Sequence, residues 1–405
     1  MRFHRNISFA VIDGLMAIFN EGEYADKVVA RALKLDKRWG SNDRKFVAET
    51  IYDIVRWKRL YAEIAEVKKF PIERDNVWRM FAVWATLKGY TLPDWKYFEG
   101  TPVRRIKGKF DELSKDRKFK ESIPDWMDEI GVKELGEEIW TKEIAAQNEQ
   151  AKVILRVNTL KTTKEKLQSI LLESNIETLT LKEYPSALVL KERANVFLTN
   201  AFKDGLFEVQ DASSQLVAEL LDIKPGMRVV DTCAGAGGKS LHIASLLENK
   251  GQIIAMDLYE SKLKQLKQRA KRNGVHNIET RVIESTKTIK KLHEKADRVL
   301  IDAPCSGLGV LKRNPDSKWK LQPEFIDNIR KVQAEVLENY AKIVKPGGKL
   351  VYATCSVLPS ENQEQVKKFL TTETGKNFTF VVDKKVLAHE SGFDGFYMAL
   401  LERKN

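Results

Sequence analysis

Asp231-Thr232-Cys233-Ala234-Gly235-Ala236-Gly237-Gly238-Lys239-Ser240 lies between a short apolar run at 227–230 and a helical stretch at 240–247. Small residues let backbone N–H groups approach a ligand closely, and the N-terminus of the following helix favours negative charge. The ending Gly238-Lys239-Ser240 resembles a P-loop, but that pattern needs glycine at position 233, which is Cys233. The same alternation continues down the chain. Residues 252–256 end at Asp257, 298–301 at Asp302, and 349–353 at Thr354-Cys355, with helical stretches at 260–273 and 324–344 between them. This spacing predicts a parallel sheet with helices on both faces. In such sheets the ligand site lies at the carboxyl ends of the strands. Asp231, Asp257, Asp302, Thr354 and Cys355 all fall at such ends. Asp257 stands where a ribose hydroxyl pair would be held; its structural alternative is an N-cap for the helix starting near Tyr259.

Upstream the pattern differs. Ile7, Val11, Leu15, Ile18 and Phe19 recur at helical spacing, as do Phe46, Ile51, Ile54 and Val55, with Trp57, Tyr61 and Ile64 extending the second stripe. Such stripes are usually core faces of a bundle. Residues 1–135 are therefore read as an all-α domain, with 101–120, rich in Lys and Arg, as an exposed connector. Residues 136–210 read as a small α+β subdomain: strands at 153–157 and 187–190, a helix at 164–173. Residues 211–405 form the α/β domain.

The 405 residues carry a net charge of +12, and 43% are hydrophobic, the balance of an ordinary folded protein rather than a disordered one. Residues 261–350 alone hold 21 Lys/Arg against 10 Asp/Glu. An excess focused on part of one domain suits a polyanion, because each neutralised phosphate releases counterions. A solvated lysine-rich surface explains the same charge without a partner. The three cysteines, Cys233, Cys305 and Cys355, exclude a disulfide scaffold, fit a reducing cytoplasm and leave no C-x-x-C for a zinc site. Met1-Arg2-Phe3-His4-Arg5 has no signal-peptide apolar core, and no run long enough to span a membrane occurs. Cys305, in Asp302-Ala303-Pro304-Cys305-Ser306-Gly307, and Cys355, in Thr354-Cys355-Ser356, each follow a strand end. A free cysteine is most often a small buried hydrophobe. At a strand end beside basic sequence, a thiolate nucleophile is the competing reading. No histidine lies near either one in sequence.

These residues together resemble the RsmB/Sun-type family of S-adenosylmethionine-dependent RNA cytosine-5 methyltransferases. Arg156-Val157-Asn158-Thr159-Leu160-Lys161 is similar to its R-V-N-T-L-K element, and Val209-Gln210-Asp211-Ala212-Ser213-Ser214-Gln215 to its V-Q-D-x-S-S-Q segment. The 231–240 loop resembles D-x-C-A-A-P-G-G-K-T. Asp302 to Gly307, then Arg313-Asn314-Pro315-Asp316 and Lys318-Trp319, match D-A-P-C-S-G and R-x-P-D-x-K-W. Thr354-Cys355-Ser356 with Glu361-Asn362, and Asp394-Gly395-Phe396-Tyr397, match two closing elements. The first 135 residues resemble, more loosely, a NusB-like RNA-binding domain, through Asp43-Arg44-Lys45-Phe46-Val47 and Ile54-Val55-Arg56. Two departures stand out. Gly235-Ala236 replace the family's Ala-Pro, and Glu284 stands for its adenine-contacting Asp, with Ile283 where a glycine usually precedes it.

The resemblance implies a Rossmann-like methyltransferase domain after a helical domain and an α+β subdomain. It implies Cys355 as nucleophile, Cys305 as the thiol that assists product release, and Asp302 against the cytosine's polar edge. Cys233, Ala234, Gly235, Ala236, Gly237, Gly238, Lys239, Asp257, Glu284 and Asp302 would contact S-adenosylmethionine. Lys312, Arg313, Lys318 and Trp319 would hold RNA, with simple packing the alternative for Trp319. The expected substrate is small-subunit ribosomal RNA rather than tRNA, with a cytoplasmic monomer as the working form. A non-catalytic RNA-binding assembly factor and a DNA methyltransferase are the competing classes.

Overall fold

The computed structural model describes residues 3–69 and 71–405, so Met1 and Arg2 of the N-terminal run lie outside the described residues. Two compact units emerge: Met1–Glu149 with Leu311–Pro323, and Gln150–Val310 with Glu324–Asn405. No helix among the described residues is long and apolar enough to cross a membrane.

The first unit is helical. The stripe Ile7, Val11, Leu15 and Ile18 is buried along the helix Arg5–Asn20, and Phe46, Ile51, Ile54 and Val55 along Ser41–Arg56. Both faces meet an aromatic core around Trp78, Phe81 and Trp84. Helices continue past residue 135: Asp125–Leu135 and Glu137–Gln147 turn at Gly136, whose φ is +81°. They close so tightly that a Cβ on Gly131 would meet the Trp140 ring at 2.2 Å. The presumed connector at 101–120 is itself helical, over Val103–Leu113 and Arg117–Lys120, although Ile106 is the one buried residue in the pair.

The segment 311–323 corrects the sequence reading. Lys318 is fully buried in the helical unit, not turned toward RNA. Its ammonium donates to the carbonyls of Arg56 (3.2 Å), Glu121 (3.1 Å) and Ser122 (3.2 Å) and to Asn148 Oδ1 (2.6 Å). Trp319 packs there too, its Nε1–H donating to Val55 O at 2.6 Å. Lys312 is buried as well. Part of the basic excess at 261–350 is therefore interior.

The second unit holds two sheets. The smaller runs β2-β3-β1-β4, all antiparallel, from β1 (Ile154–Val157), β2 (Thr178–Leu181), β3 (Tyr184–Leu190) and β4 (Phe207–Val209). The helix Lys164–Glu173 starts where the sequence placed it, capped by the Thr163 hydroxyl. The larger sheet comprises β5 (Arg228–Asp231), β6 (Gln252–Asp257), β7 (Ile278–Val282), β8 (Ala296–Asp302), β9 (Val344–Thr354), β10 (Phe378–Val386) and β11 (Phe396–Arg403). Its order is β10-β11-β9-β8-β5-β6-β7. β5 to β9 are parallel, while β11 and β10 join antiparallel at one edge, a departure from the purely parallel expectation. The inner strands read as unbroken apolar runs because both faces are buried.

Candidate active site

β5, β8 and β9 end side by side, so the glycine loop, Asp302-Cys305 and Thr354-Cys355 converge at one edge of the sheet. The loop turns through two left-handed glycines, Gly235 (φ +55°) and Gly237 (φ +88°), before the helix Gly238–Leu246. At Gly237 a Cβ would meet Leu266 Cγ at 2.5 Å, so the position excludes a side chain twice over. The Gly235 N–H donates to Asp257 Oδ2 at 2.8 Å, and the Tyr259 N–H donates to Asp257 Oδ1 at 2.9 Å. Asp257 thus braces the loop and the start of the next helix together. Two guanidiniums hold the loop from below. Arg269 donates to Ala236 O at 2.8 Å, and the buried Arg156 donates to Gly238 O. Arg269 is paired in turn with buried Glu208 at 2.8 Å.

Asp231 is buried; the Ser240 hydroxyl donates to its Oδ2 at 2.6 Å, while its Oδ1 has no hydrogen-bond partner among the described residues. Burial pushes its carboxyl up to about 7; the Ser240 hydrogen bond opposes that rise and the nearby Asp302 charge adds to it. Cys233 is held as an inert thiol, its pKa raised by burial and by the charge of Asp231. Lys239 does not reach over the loop as a phosphate ligand would. Its Nζ pairs with Asp302 Oδ2 at 2.7 Å and lies 4.9 Å from the Phe396 ring centroid. Burial disfavours its charge, but Asp302, with help from Cys355 and Asp231, holds the ammonium pKa above its ordinary value.

The two sulfurs lie 3.1 Å apart, both half-buried. The hydrogen bond to Cys355 pushes the Cys305 thiol well up, and burial and neighbouring negative charge add to it. Beneath them sits Glu361, fully buried, which takes hydrogen bonds from both cysteine loops. Sequence reading singled out Glu361 only as part of a motif; nothing in its spacing says that it faces Ser306 and Ser356. Glu284 is exposed, two residues beyond the end of the edge strand β7.

A cofactor of nucleoside type fits these residues. The loop is free of bulk, the helix N-terminus opens onto it, Asp257 presents a carboxylate at the neighbouring strand end, and Asp231 retains an unpartnered buried oxygen. Together with the strand order, this defines a Rossmann-like methyltransferase. Residues 218–402 match the RsmB/F family of 16S rRNA methyltransferases, and 123–197 match the RsmF/B-like ferredoxin-like domain. A probable ribosomal RNA small subunit methyltransferase B from Synechocystis sp. is 34% identical over 298 residues, 70% of this chain and 67% of that one. Its counterpart from Bacillus subtilis is 33% identical over 299 residues, with 70% and 67% covered. The crystal structure of PH0851 covers 100% of both chains at a TM-score of 0.84 and 27% identity. The chain belongs to the RsmB/F methyltransferase family, as its motifs led one to expect.

Proposed function

We propose that this protein transfers a methyl group from S-adenosylmethionine to carbon 5 of a cytosine in small-subunit ribosomal RNA, through a covalent cysteine adduct. The observation that carries this reading is the thiol pair, 3.1 Å apart, beside the Lys239–Asp302 ion pair. Cytosine carbon 5 is a poor nucleophile until a thiolate adds to carbon 6, which divides one hard step into two easier ones. Cys355 is the nucleophile in this scheme, the role that the family resemblance implies for the Thr-Cys position, and the raised pKa of the Cys305 thiol agrees with it. Its sulfur bonds to carbon 6 and an electron pair moves to carbon 5. When bound, S-adenosylmethionine supplies the electrophilic methyl that this carbon takes. Asp302 accepts hydrogen bonds from the base's polar edge, with Lys239 balancing its charge. Once Cys355 is bonded to carbon 6, its negative charge no longer opposes ionisation of Cys305. Cys305 gives up its proton to solvent and accepts the one on carbon 5; the electron pair of that carbon–hydrogen bond restores the 5,6 double bond, and the Cys355–carbon 6 bond breaks to return the Cys355 thiolate and release product. The cytosine leaves its stack to reach this site.

Asp231, Asp257 and the backbone of 233–239 are the groups that would hold the cofactor, with Glu284 a further contact at the adenine. Asp257→Ala is expected to weaken S-adenosylmethionine binding roughly 10–100-fold in calorimetry, the worth of a hydrogen bond to a charged group. Unchanged affinity would remove Asp257 from the site. The RNA reading rests on the names of the relatives and on the exposed lysines of the helix Glu260–Asn273. The same reading places the enzyme in the cytoplasm as a monomer. Tritium transfer to bulk RNA tests the activity, and bisulfite sequencing of RNA from cells lacking the gene tests the substrate. Label in tRNA alone would overturn the ribosomal assignment.

A further inference from the structure

We propose that Glu361 and Asn362 act as positioning residues that set the separation of the two sulfurs. Each cysteine is held through the residue before it and the residue after it. At Cys305, the Pro304 carbonyl accepts from Gln333 Nε2 at 3.0 Å. On its other side, the Ser306 N–H donates to Glu361 Oε2 at 2.8 Å and the Ser306 hydroxyl donates to Oε1 at 2.5 Å. At Cys355, the Thr354 hydroxyl donates to Asn362 Oδ1, and Asn362 Nδ2 donates back to Ser356 O at 2.9 Å. The Ser356 hydroxyl donates to Glu361 Oε1 at 2.6 Å, and Gln333 Nε2 completes the set on Oε2 at 2.9 Å. One carboxylate oxygen therefore bridges the two serines that follow the two cysteines.

The cost of this arrangement argues that it has a purpose. Glu361 is fully buried, and the donors named here are neutral hydroxyl, peptide and amide groups. A buried carboxylate is expensive compared with an apolar residue of similar size. A turn over Pro359–Glu361 needs no buried charge to form. The charge does reach the thiols: Glu361 is among the causes that hold the Cys305 pKa up, after the hydrogen bond to Cys355 and burial. Two effects follow from one side chain. The loops cannot drift apart, and the negative charge below disfavours a second thiolate.

The bearing on catalysis rests on the reaction proposed above; the bearing on the thiols does not. The test uses the full-length chain. Iodoacetamide alkylation of each cysteine is followed by mass spectrometry across pH. In the unaltered protein Cys355 is expected to alkylate first and Cys305 only at higher pH. In Glu361→Gln, the Cys305 profile should move down by roughly one pH unit, the size of losing a nearby like charge. Methyl transfer should fall roughly 100-fold in kcat, because a reacting group held loosely loses about that much. KM for RNA should be unchanged, which a generally misfolded variant would not achieve. Ser356→Ala is the second variant: it frees the Cys355 loop from Glu361 and should lower kcat about tenfold with KM for RNA unchanged. A folded Glu361→Gln with an unchanged Cys305 profile and unchanged kcat overturns the proposal. If Glu361→Gln does not fold, wild-type kcat in Ser356→Ala overturns it instead. If the unaltered protein methylates no RNA, the function falls, and the alkylation profiles still decide the role of Glu361.

Discussion

Cys355→Ala is expected to abolish methyl transfer and to leave no covalent protein–RNA species, whereas Cys305→Ala is expected to accumulate one. The loss in Cys355→Ala should be roughly 10⁴-fold or more, as for removal of other covalent nucleophiles. The asymmetry follows from the roles proposed for the two thiols. The two sulfurs are 3.1 Å apart and share one hydrogen bond, and the Cys305 pKa is raised by it. Only one sulfur of such a pair can be anionic at neutral pH, as with any two like charges in contact. Cys355→Ala removes the sulfur that adds to carbon 6 in the proposed reaction. Cys305→Ala leaves the addition intact and removes the group that takes the carbon 5 proton, so methylated base stays attached. Denaturing electrophoresis with labelled RNA reads both outcomes. If Cys305→Ala is the variant that forms no adduct, the assignment is reversed and Cys305 is the nucleophile.

Much of this site is legible in the sequence because its parts are local. Asp231, Asp257, Asp302 and Cys355 were placed by a simple rule: a polar residue ending an apolar run in an α/β pattern sits where ligands bind. The structure brings β5, β8 and β9 together accordingly. β7 and β10 were missed for a matching reason. β7 is half-exposed and β10 is exposed over most of its length, so neither carries the apolar run that marks an inner strand. The resemblance puts Lys239 on the cofactor; what no local pattern shows is its ion-pair partner, Asp302, 63 positions away. Glu361 was no more visible, since its donors come from Ser306, Gln333 and Ser356 and converge only in three dimensions. The largest misreading was Lys318, while for Trp319 the packing alternative is the one the structure shows. Close after a strand-end cysteine, basic and aromatic residues look like an RNA clamp. Only the carbonyls of Arg56, Glu121 and Ser122 reveal that they are interior.

Those carbonyls make Lys318→Ala the substitution expected to cost most in stability. The Lys318 side chain is fully buried and its ammonium satisfies Asn148 Oδ1 as well as the three carbonyls. Truncation removes this donor from Asn148 Oδ1 and from the carbonyls of Arg56 and Ser122 in a closed interior, while the Glu121 carbonyl keeps Asn148 Nδ2 at 2.8 Å. Each buried acceptor stripped of its partner costs about 1–3 kcal/mol. The cavity left by the removed methylenes adds to that. Some of the loss is offset, because burying the amine is itself unfavourable. Burial holds its pKa well below the ordinary 10.5, the Arg56 charge pushes the same way, and Glu121 opposes them. A net loss of roughly 3 kcal/mol or more is expected in denaturant unfolding. The pH dependence distinguishes this account from simple loss of packing. Between its depressed folded pKa and the ordinary value, the native state binds fewer protons at Lys318 than the unfolded state does. Stability of the unaltered protein should therefore rise as pH climbs through that window, and Lys318→Met, which keeps most of the volume, should remove that part of the slope. A Lys318→Ala protein as stable as the original would mean that the oxygens Lys318 leaves find other donors. The segment 311–323 would then owe its place in the helical unit to Trp319 and Asp316, whose carboxylate accepts from the Ala25 N–H at 3.1 Å.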